Sequence, residues 1–165
     1  MSTPDVRVGI GVDAHAFGDG IPLVLAGVVF PGEAGLVGHS DGDVLAHAVT
    51  DAVLGAAGLG DIGELFPSDE AKWEGADSIE LLVSAYAAVL ETGFELINAD
   101  CVLIGEHPRV APRRAEMRAR LAQALAVDVT RVTVRATTTD RLGFTGRKEG
   151  LAAQAVALVR SRAAP

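Results

Sequence analysis

Val6-Arg7-Val8-Gly9-Ile10-Gly11-Val12-Asp13-Ala14-His15 is the stretch from which the fold can be worked out. Its residues alternate, with Val6, Val8, Ile10 and Val12 on one face and Arg7, Gly9, Gly11, Asp13 and His15 on the other, the period of a strand with one apolar face. On the second face, glycines stand beside two potential metal ligands and clear the kind of space a bulky ligand needs. Downstream, Leu23 to Phe30 reads as another strand, closed by Pro31 and Gly32. Ser40 followed by Asp43 resembles a capping box. Val44, Leu45, Ala48, Val49, Ala52 and Val53 then keep helical spacing to about Gly58, so a helix begins just after His39.

A loop rich in Gly, Asp, Pro and Ser runs from Gly58 to Asp77. Ile79, Leu82, Val83, Tyr86, Val89 and Leu90 mark the clearest amphipathic helix, ended by Gly93. Asn98 to Gly105 reads as a buried strand, Pro112 opens a helix carried by Met117, Leu121 and Leu125, and Arg131 to Thr137 alternates as a strand. Leu151 to Val159 alternates alanines with Gln154, Val156 and Leu158 and fits either state. With no repeat or linker, the order of elements predicts one catalytic domain over residues 1–165, its core at about 6–160. The fold class is α/β (α+β), a mixed β-sheet covered on one face by helices.

Composition narrows the function. The chain has 165 residues, 49% of them apolar, but only one Trp, one Tyr and five Phe, so the core is built from Ala, Val, Leu and Ile. A net charge of -8 excludes a general nucleic-acid binder, which needs a basic face. An anionic substrate therefore needs local help from a bound cation, helix N-termini or a few Arg side chains. Cys101 is the single cysteine, so no intrachain disulfide and no cysteine zinc finger can form, and a reducing cytoplasm is the simplest setting. Met1 to Val8 lacks the basic start and apolar stretch of a signal peptide, and no apolar run reaches membrane-spanning length. The expectation is a chain neither exported nor embedded, with Arg160 to Pro165 as a frayed end.

The chemistry starts from Asp13 and His15, which are two apart on a strand and so leave the same face. A carboxylate and an imidazole are a normal pair of zinc ligands, and His47, on the first predicted helix, is the candidate third. His47 lies one turn after Asp43 and one before Asp51, and either carboxylate could accept its second ring N–H. Three ligands leave zinc a position for a phosphate oxygen or water. His39, Ser40 and the N–H groups of Asp41 to Asp43 gather at a helix N-terminus that favours an anion. Ala136-Thr137-Thr138-Thr139-Asp140 leaves a strand and meets Gly143-Phe144-Thr145-Gly146-Arg147, where hydroxyls, glycines and an arginine suit phosphates. His107, before Pro108, reads as an exposed loop residue, and Gly9-Ile10-Gly11 lacks the third glycine of a dinucleotide fingerprint.

Four segments taken together resemble one family: Gly-Ile-Gly-Val-Asp-Ala-His (9–15), His-Ser-Asp-Gly-Asp-Val-Leu-Ala-His (39–47), Gly-Asp-Ile-Gly-Glu-Leu-Phe-Pro (60–67) and Ala-Thr-Thr-Thr-Asp-Arg-Leu-Gly-Phe-Thr-Gly-Arg (136–147). The family is that of the 2-C-methyl-D-erythritol 2,4-cyclodiphosphate synthases, and the similarity runs from about Val8 to Val159. It implies a metal-dependent phosphorus-oxygen lyase of the non-mevalonate route to isoprenoid precursors. In that reaction the 2-phosphate of 4-diphosphocytidyl-2-C-methyl-D-erythritol 2-phosphate attacks its own β-phosphorus and CMP leaves. The resemblance implies Zn2+, or another divalent transition metal, at Asp13, His15 and His47, with His39 and Thr138 as catalytic residues. Asp140 would hold Mg2+ or Mn2+ with the substrate diphosphate.

Substrate contacts implied in the same way fall on Asp13, His15, His39, Ser40, Asp61, Ile62 and Gly63, and on a neighbouring loop of Phe66, Pro67, Ser68, Asp69 and Glu70. The cytidine part falls on Gly105, Glu106, His107, Pro108, Arg109, Val110 and Ala111 and on Thr137, Thr138 and Thr139, and the further substrate contacts on Asp140, Phe144 and Arg147. Family members are homotrimers with active sites between subunits, which implies zinc ligands from one chain and the cytidine pocket from its neighbour. Asp140 stands where the family usually has Glu, Arg109 where Lys is common and Ser68 where Asp is frequent. Phe144 and Arg147 match an apolar isoprenoid-diphosphate channel found at the trimer axis of some members, but Val12 and Gln154 stand where Phe and Glu often occur, so that ligand is not carried over. The residues alone also admit a zinc phosphohydrolase, giving a linear phosphate, and a metal-stabilised binding module without turnover. An expected cluster of His39, Thr138 and Asp61 around one anion argues against a purely structural metal.

Overall fold

The computed structural model describes residues 5–162. Five strands form one mixed sheet in the order β2-β1-β5-β3-β4: β1 (Val6–Leu25), β2 (Val28–Leu36), β3 (Phe94–Ile104), β4 (Val132–Thr137) and β5 (Gly150–Ser161). Only β3 and β4 pair in parallel. The helices are α1 (Val44–Ala57), the short α2 (Ile62–Leu65), α3 (Ser78–Glu91), α4 (Arg114–Ala124) and the short α5 (Gly143–Gly146). The segment of two-way reading, Leu151 to Val159, is the strand β5 between β1 and β3. Leu151, Ala153, Ala155, Ala157 and Val159 are buried on one face, so the alternating alanines are the small-residue floor on which the helices lie. Arg160 and Ser161 still belong to β5, contrary to the expected frayed end; residues 163–165 of that tail lie outside the described residues.

One correction decides how the site is built. The apolar face of β1 is the uncovered one: Val8 is 66% exposed and Ile10 60%. The glycine face is the one that packs. A Cβ on Gly9 would run into the Ala52 carbonyl and one on Gly11 into the Ala48 carbonyl, both on the α1 backbone. The space the glycines clear is filled by a helix and not by a ligand. Helix α1 can therefore lie directly on β1, which carries His47 of the helix to Asp13 and His15 in the middle of the strand.

The start of α1 is also corrected. Its N-cap is Asp43 and not Ser40: the Asp43 carboxylate accepts from Ala46 N at 3.1 Å, Ala26 N at 2.8 Å and Gly27 N at 2.7 Å. This fully buried group ties the helix to the β1–β2 turn, where Ala26 and Gly27 both adopt positive φ. Across the sheet, Tyr86 of α3 is buried and its hydroxyl accepts from Leu96 N at 3.0 Å, docking α3 on β3. Cys101 is buried in the same layer, where burial pushes its thiol up to about 12 and leaves it inert.

Candidate metal centre and substrate clefts

Asp13, His15 and His47 come together. Asp13 Oδ2 lies 2.8 Å from His15 Nε2 and 2.9 Å from His47 Nδ1, and the two imidazole nitrogens are 3.3 Å apart. Four ligands around zinc at roughly 2.05 Å would stand roughly 3.3 Å from one another, so the triangle has nearly the size of one tetrahedral face.

Protons locate the lone pairs. His15 Nδ1 is 2.7 Å from the Val37 carbonyl, which can only accept, so Nδ1 carries the hydrogen and Nε2 of the neutral ring is a bare lone pair. His47 Nε2 is 2.9 Å from both Ser40 Oγ and Ser78 Oγ, so it has hydroxyl acceptors available and leaves Nδ1 as the lone pair. Two imidazole lone pairs and a carboxylate oxygen then converge with no hydrogen between them, an arrangement that suits a divalent ion. Burial pushes the Asp13 carboxyl up, but its hydrogen bonds and charge interactions with His15 and His47 outweigh that and hold it well below the usual carboxylate range. The Asp13 carboxylate in turn raises His15 against the opposing effect of burial.

Neither predicted carboxylate orients His47. Asp43 is committed to three backbone N–H groups, and Asp51 accepts from Ile62 N at 2.8 Å, which pins α2 to α1. Ser40, freed from capping, faces the metal corner instead.

The three ligands open into a cavity of about 380 Å³. His39, Ser40, Ile62, Gly63, Phe66, Pro67, Ser68 and Asp69 also line it. Asp61 and Glu70 do not: Asp61 caps α2 by accepting from Glu64 N at 2.9 Å, and Glu70 precedes a 3₁₀ turn at Ala71–Trp73. Trp73 and Leu81 also line the cavity and were not anticipated. The indole of Trp73 packs edge-on against Phe66 at 4.9 Å between ring centroids, a pairing hidden in what reads as an irregular loop.

A second cleft, of about 840 Å³, is lined by Gly105, Glu106, His107, Pro108, Arg109, Val110 and Ala111 together with Thr137, Thr138 and Arg147. Arg114, Arg141 and Lys148 add cations that were not anticipated. Asp140 stands beside this cleft with a carboxylate oxygen 3.2 Å from Thr138 Oγ1. Its backbone has φ 51, a conformation that Asp tolerates better than Glu. Thr139 turns away, its hydroxyl donating to Leu142 O at 2.6 Å, and Phe144 is an exposed residue of α5.

The two clefts share no lining residue. Ala14, Ala152, Ile104 and Thr137 form one row across β1, β5, β3 and β4, so Asp13 and Thr138 sit at the same end of the sheet. They are three strand spacings apart, roughly 14 Å. The expected cluster of His39, Thr138 and Asp61 is therefore not assembled within one chain.

Known proteins resemble this chain in sequence and in fold. The 2-C-methyl-D-erythritol 2,4-cyclodiphosphate synthase of Rubrobacter xylanophilus is 58% identical over 93% of this chain and 94% of its own length. A solved 2C-methyl-D-erythritol-2,4-cyclodiphosphate synthase in a CDP-bound form is 36% identical, with a TM-score of 0.85 over 93% of this chain and 99% of that one. The bifunctional IspDF from Campylobacter jejuni is 48% identical with a TM-score of 0.93; 97% of this chain aligns, but it spans only 43% of that longer protein. The model of the YgbB family matches residues 6–160, which take in the whole sheet but its last residue, the helices and all three convergent ligands, and on that match the chain belongs to the YgbB family.

Proposed function

We propose that the chain is a cyclising, CMP-releasing phosphorus-oxygen lyase. It converts 4-diphosphocytidyl-2-C-methyl-D-erythritol 2-phosphate to 2-C-methyl-D-erythritol 2,4-cyclodiphosphate in the non-mevalonate pathway. The observation that carries this reading is the convergence of Asp13, His15 and His47 at the mouth of a cavity also lined by His39 and Ser40, in a chain with close synthase relatives. When bound, a zinc or similar ion at Asp13, His15 and His47 and a magnesium or manganese ion at Asp140 supply charge neutralisation for the diphosphate. An oxygen of the 2-phosphate bonds to the β-phosphorus, the bond from the β-phosphorus to the bridging oxygen breaks, and its electron pair leaves on the CMP phosphate. No water is consumed. The chain's task is to hold the reacting groups in line and stabilise the spreading charge. His39 and Ser40 face the phosphate beside the metal corner, while Phe66 and the loop from Pro67 to Asp69 wall the methylerythritol part. Thr138 steadies the transition state from the other cleft, where Gly105 to Ala111 and Thr137 receive the cytidine.

The same reading makes the assembly a homotrimer with its sites between subunits. Thr138 is about 14 Å from the metal corner of its own chain, so a second copy must bring another Thr138 there. Two features support a head-to-tail ring. The uncovered face of β1 and β5 presents Val6, Val8, Ile10, Val12 and Val156. Only Arg7 and Lys72 of the 14 basic residues precede Arg109, and only Glu116, Asp128, Asp140 and Glu149 of the 22 acidic ones follow it, so an acidic region of one copy can meet a basic region of the next. No helix among the described residues is long and apolar enough to cross a membrane. The cytoplasm, where the buried Cys101 stays reduced, is the proposed setting.

Phosphorus NMR of the purified protein with the cytidyl substrate, zinc and magnesium tests the reaction. Cyclic diphosphate and CMP from wild type but not from His47→Ala are expected; linear phosphate would make the chain a hydrolase. Mixing His47→Ala with Thr138→Ala after dissociation tests the assembly. A random ring places a wild-type corner against a wild-type Thr138 at about a quarter of its sites, so activity should return to about that level. No recovery from refolded mixed rings would place each site within one chain.

A further inference from the structure

The hydrogen bonds behind His47 run in one direction. Asp41, in the loop before α1, receives two bonds from Ser78 at the start of α3: the Ser78 N–H at 3.2 Å and the Ser78 hydroxyl. A carboxylate can only accept, so the single hydroxyl hydrogen of Ser78 belongs to Asp41. Ser78 Oγ is then left with lone pairs alone, and its neighbour at 2.9 Å is His47 Nε2. The ring nitrogen must therefore be the donor, which fixes His47 as the Nε2–H tautomer. Its Nδ1 lone pair faces Asp13 Oδ2 and His15 Nε2. Ser78 is fully buried, and Asp41 also accepts from Asp43 N at 3.1 Å, so both members of the relay are anchored by the backbone around them.

We infer that Asp41 and Ser78 are positioning residues that act through His47, locking its tautomer and making its Nδ1 a stronger metal ligand, and that this leaves Ser40 free to serve the substrate. The inference rests on the reading of Asp13, His15 and His47 as a metal site. The role of Ser40 follows from proton counting: its oxygen is 3.2 Å from Ser78 Oγ and 2.9 Å from His47 Nε2, yet tautomer control does not depend on it. Its hydroxyl hydrogen can be given to a phosphate oxygen in the cavity that it lines. The relay joins the N-terminus of α3 to the metal corner, so the placement of α3 is felt at His47. Second-shell partners of a ligating histidine typically change metal affinity by roughly 10–100-fold.

Zinc affinity measured by chelator competition on the full-length protein, together with nitrogen-15 NMR of the histidine rings, tests this. Ser78→Ala should weaken zinc roughly tenfold, with Ser40 left as the only acceptor, and the His47 ring should lose its single-tautomer signature in metal-free protein. Asp41→Asn can still accept the Ser78 hydrogen through its amide oxygen but lacks the charge, and should weaken zinc by a smaller factor while keeping the tautomer. A merely structural role would lower the melting temperature of the metal-free variants and leave zinc affinity and the ring signals unchanged; that outcome overturns the inference. Wild type that binds no zinc would instead overturn the metal site itself.

Discussion

The two faces of β1 invert the usual expectation. Val6, Val8, Ile10 and Val12 form the apolar face and stand in the open, whereas Gly9 and Gly11, which contribute almost no apolar surface, lie under α1. Side-chain hydrophobicity would select the valine face for the core. What selects the glycine face is the distance of closest approach, because only a strand without Cβ atoms lets a helix backbone settle directly onto it. The glycine face therefore sets the distance between strand and helix, and with it the metal triangle one step further along at Asp13 and His15. The valine face is left uncovered in the single chain.

The harshest test of that division is Gly11→Val. Its Cβ would overlap the Ala48 carbonyl, and α1 cannot withdraw without moving His47 from Asp13. A loss of at least about 3 kcal/mol is expected from overpacking against backbone, seen as a chain that does not fold or melts far below wild type. A folded Gly11→Val protein with intact zinc binding would mean that closeness of approach does not govern the site. Asp43→Asn comes next, because it removes one of the acceptors that hold the start of α1. The amide nitrogen would face the Gly27 N–H, donor against donor, and a loss of about 2 kcal/mol is expected in denaturant unfolding.

Much of this was legible in the sequence, for identifiable reasons. Asp13 and His15 declare themselves because a strand period places them on one face, and His47 because helical spacing surrounds it. The strand β5 was not decidable, since the alternation fits a strand while alanine itself favours a helix, and pairing with both β1 and β3 settles it. The role of the glycines was misread because a gap in a side-chain pattern does not say whether ligand or backbone fills it. Ser78 and Asp41 were invisible as a pair: they are 37 residues apart, and each looks like an ordinary residue near a helix start. Trp73 was lost in a segment read as loop. Thr138 and His39 looked like one cluster because sequence motifs carry no distance, and the sheet places three strands, β1, β5 and β3, between the strands after which they lie.

Ile10→Lys sharpens the comparison from the other side of the strand. Ile10 is already exposed in the single chain, so the fold should lose no more than about 1 kcal/mol. Sedimentation should nevertheless shift toward smaller species, and cyclisation should fall with it, because a lone copy holds its two clefts apart. An assembly of unchanged size would show that the valine face is not where copies meet.

The smallest effect is in pH, and it separates the helix anchor from the metal corner. Burial, reinforced by nearby Asp41, pushes Asp43 up to about 6 despite the backbone N–H groups around it, and His15 is raised above its ordinary 6.5 by Asp13. Both groups bind protons more tightly in the folded chain than in the unfolded one. Their contributions to stability are thus complete below the ordinary values of 3.8 and 6.5 and are lost as pH rises through the folded values. Asp13 works oppositely: its carboxyl is held low, so its contribution is complete above 3.8 and disappears only in stronger acid. Metal-free protein should accordingly melt lower at pH 8 than at pH 5, with each kcal/mol lost worth about 3 °C in a chain of this size. Zinc reverses the trend at the corner, because the ion competes with a proton for His15 Nε2, so the rise in melting temperature on adding zinc should grow from pH 5 to pH 8. Asp43→Asn should flatten the metal-free curve below pH 6 and leave the zinc-dependent rise as in wild type. Calorimetry with chelator and with zinc across this range reads both effects, and a zinc-dependent rise that shrinks with pH would mean that His15 does not offer Nε2 to the metal.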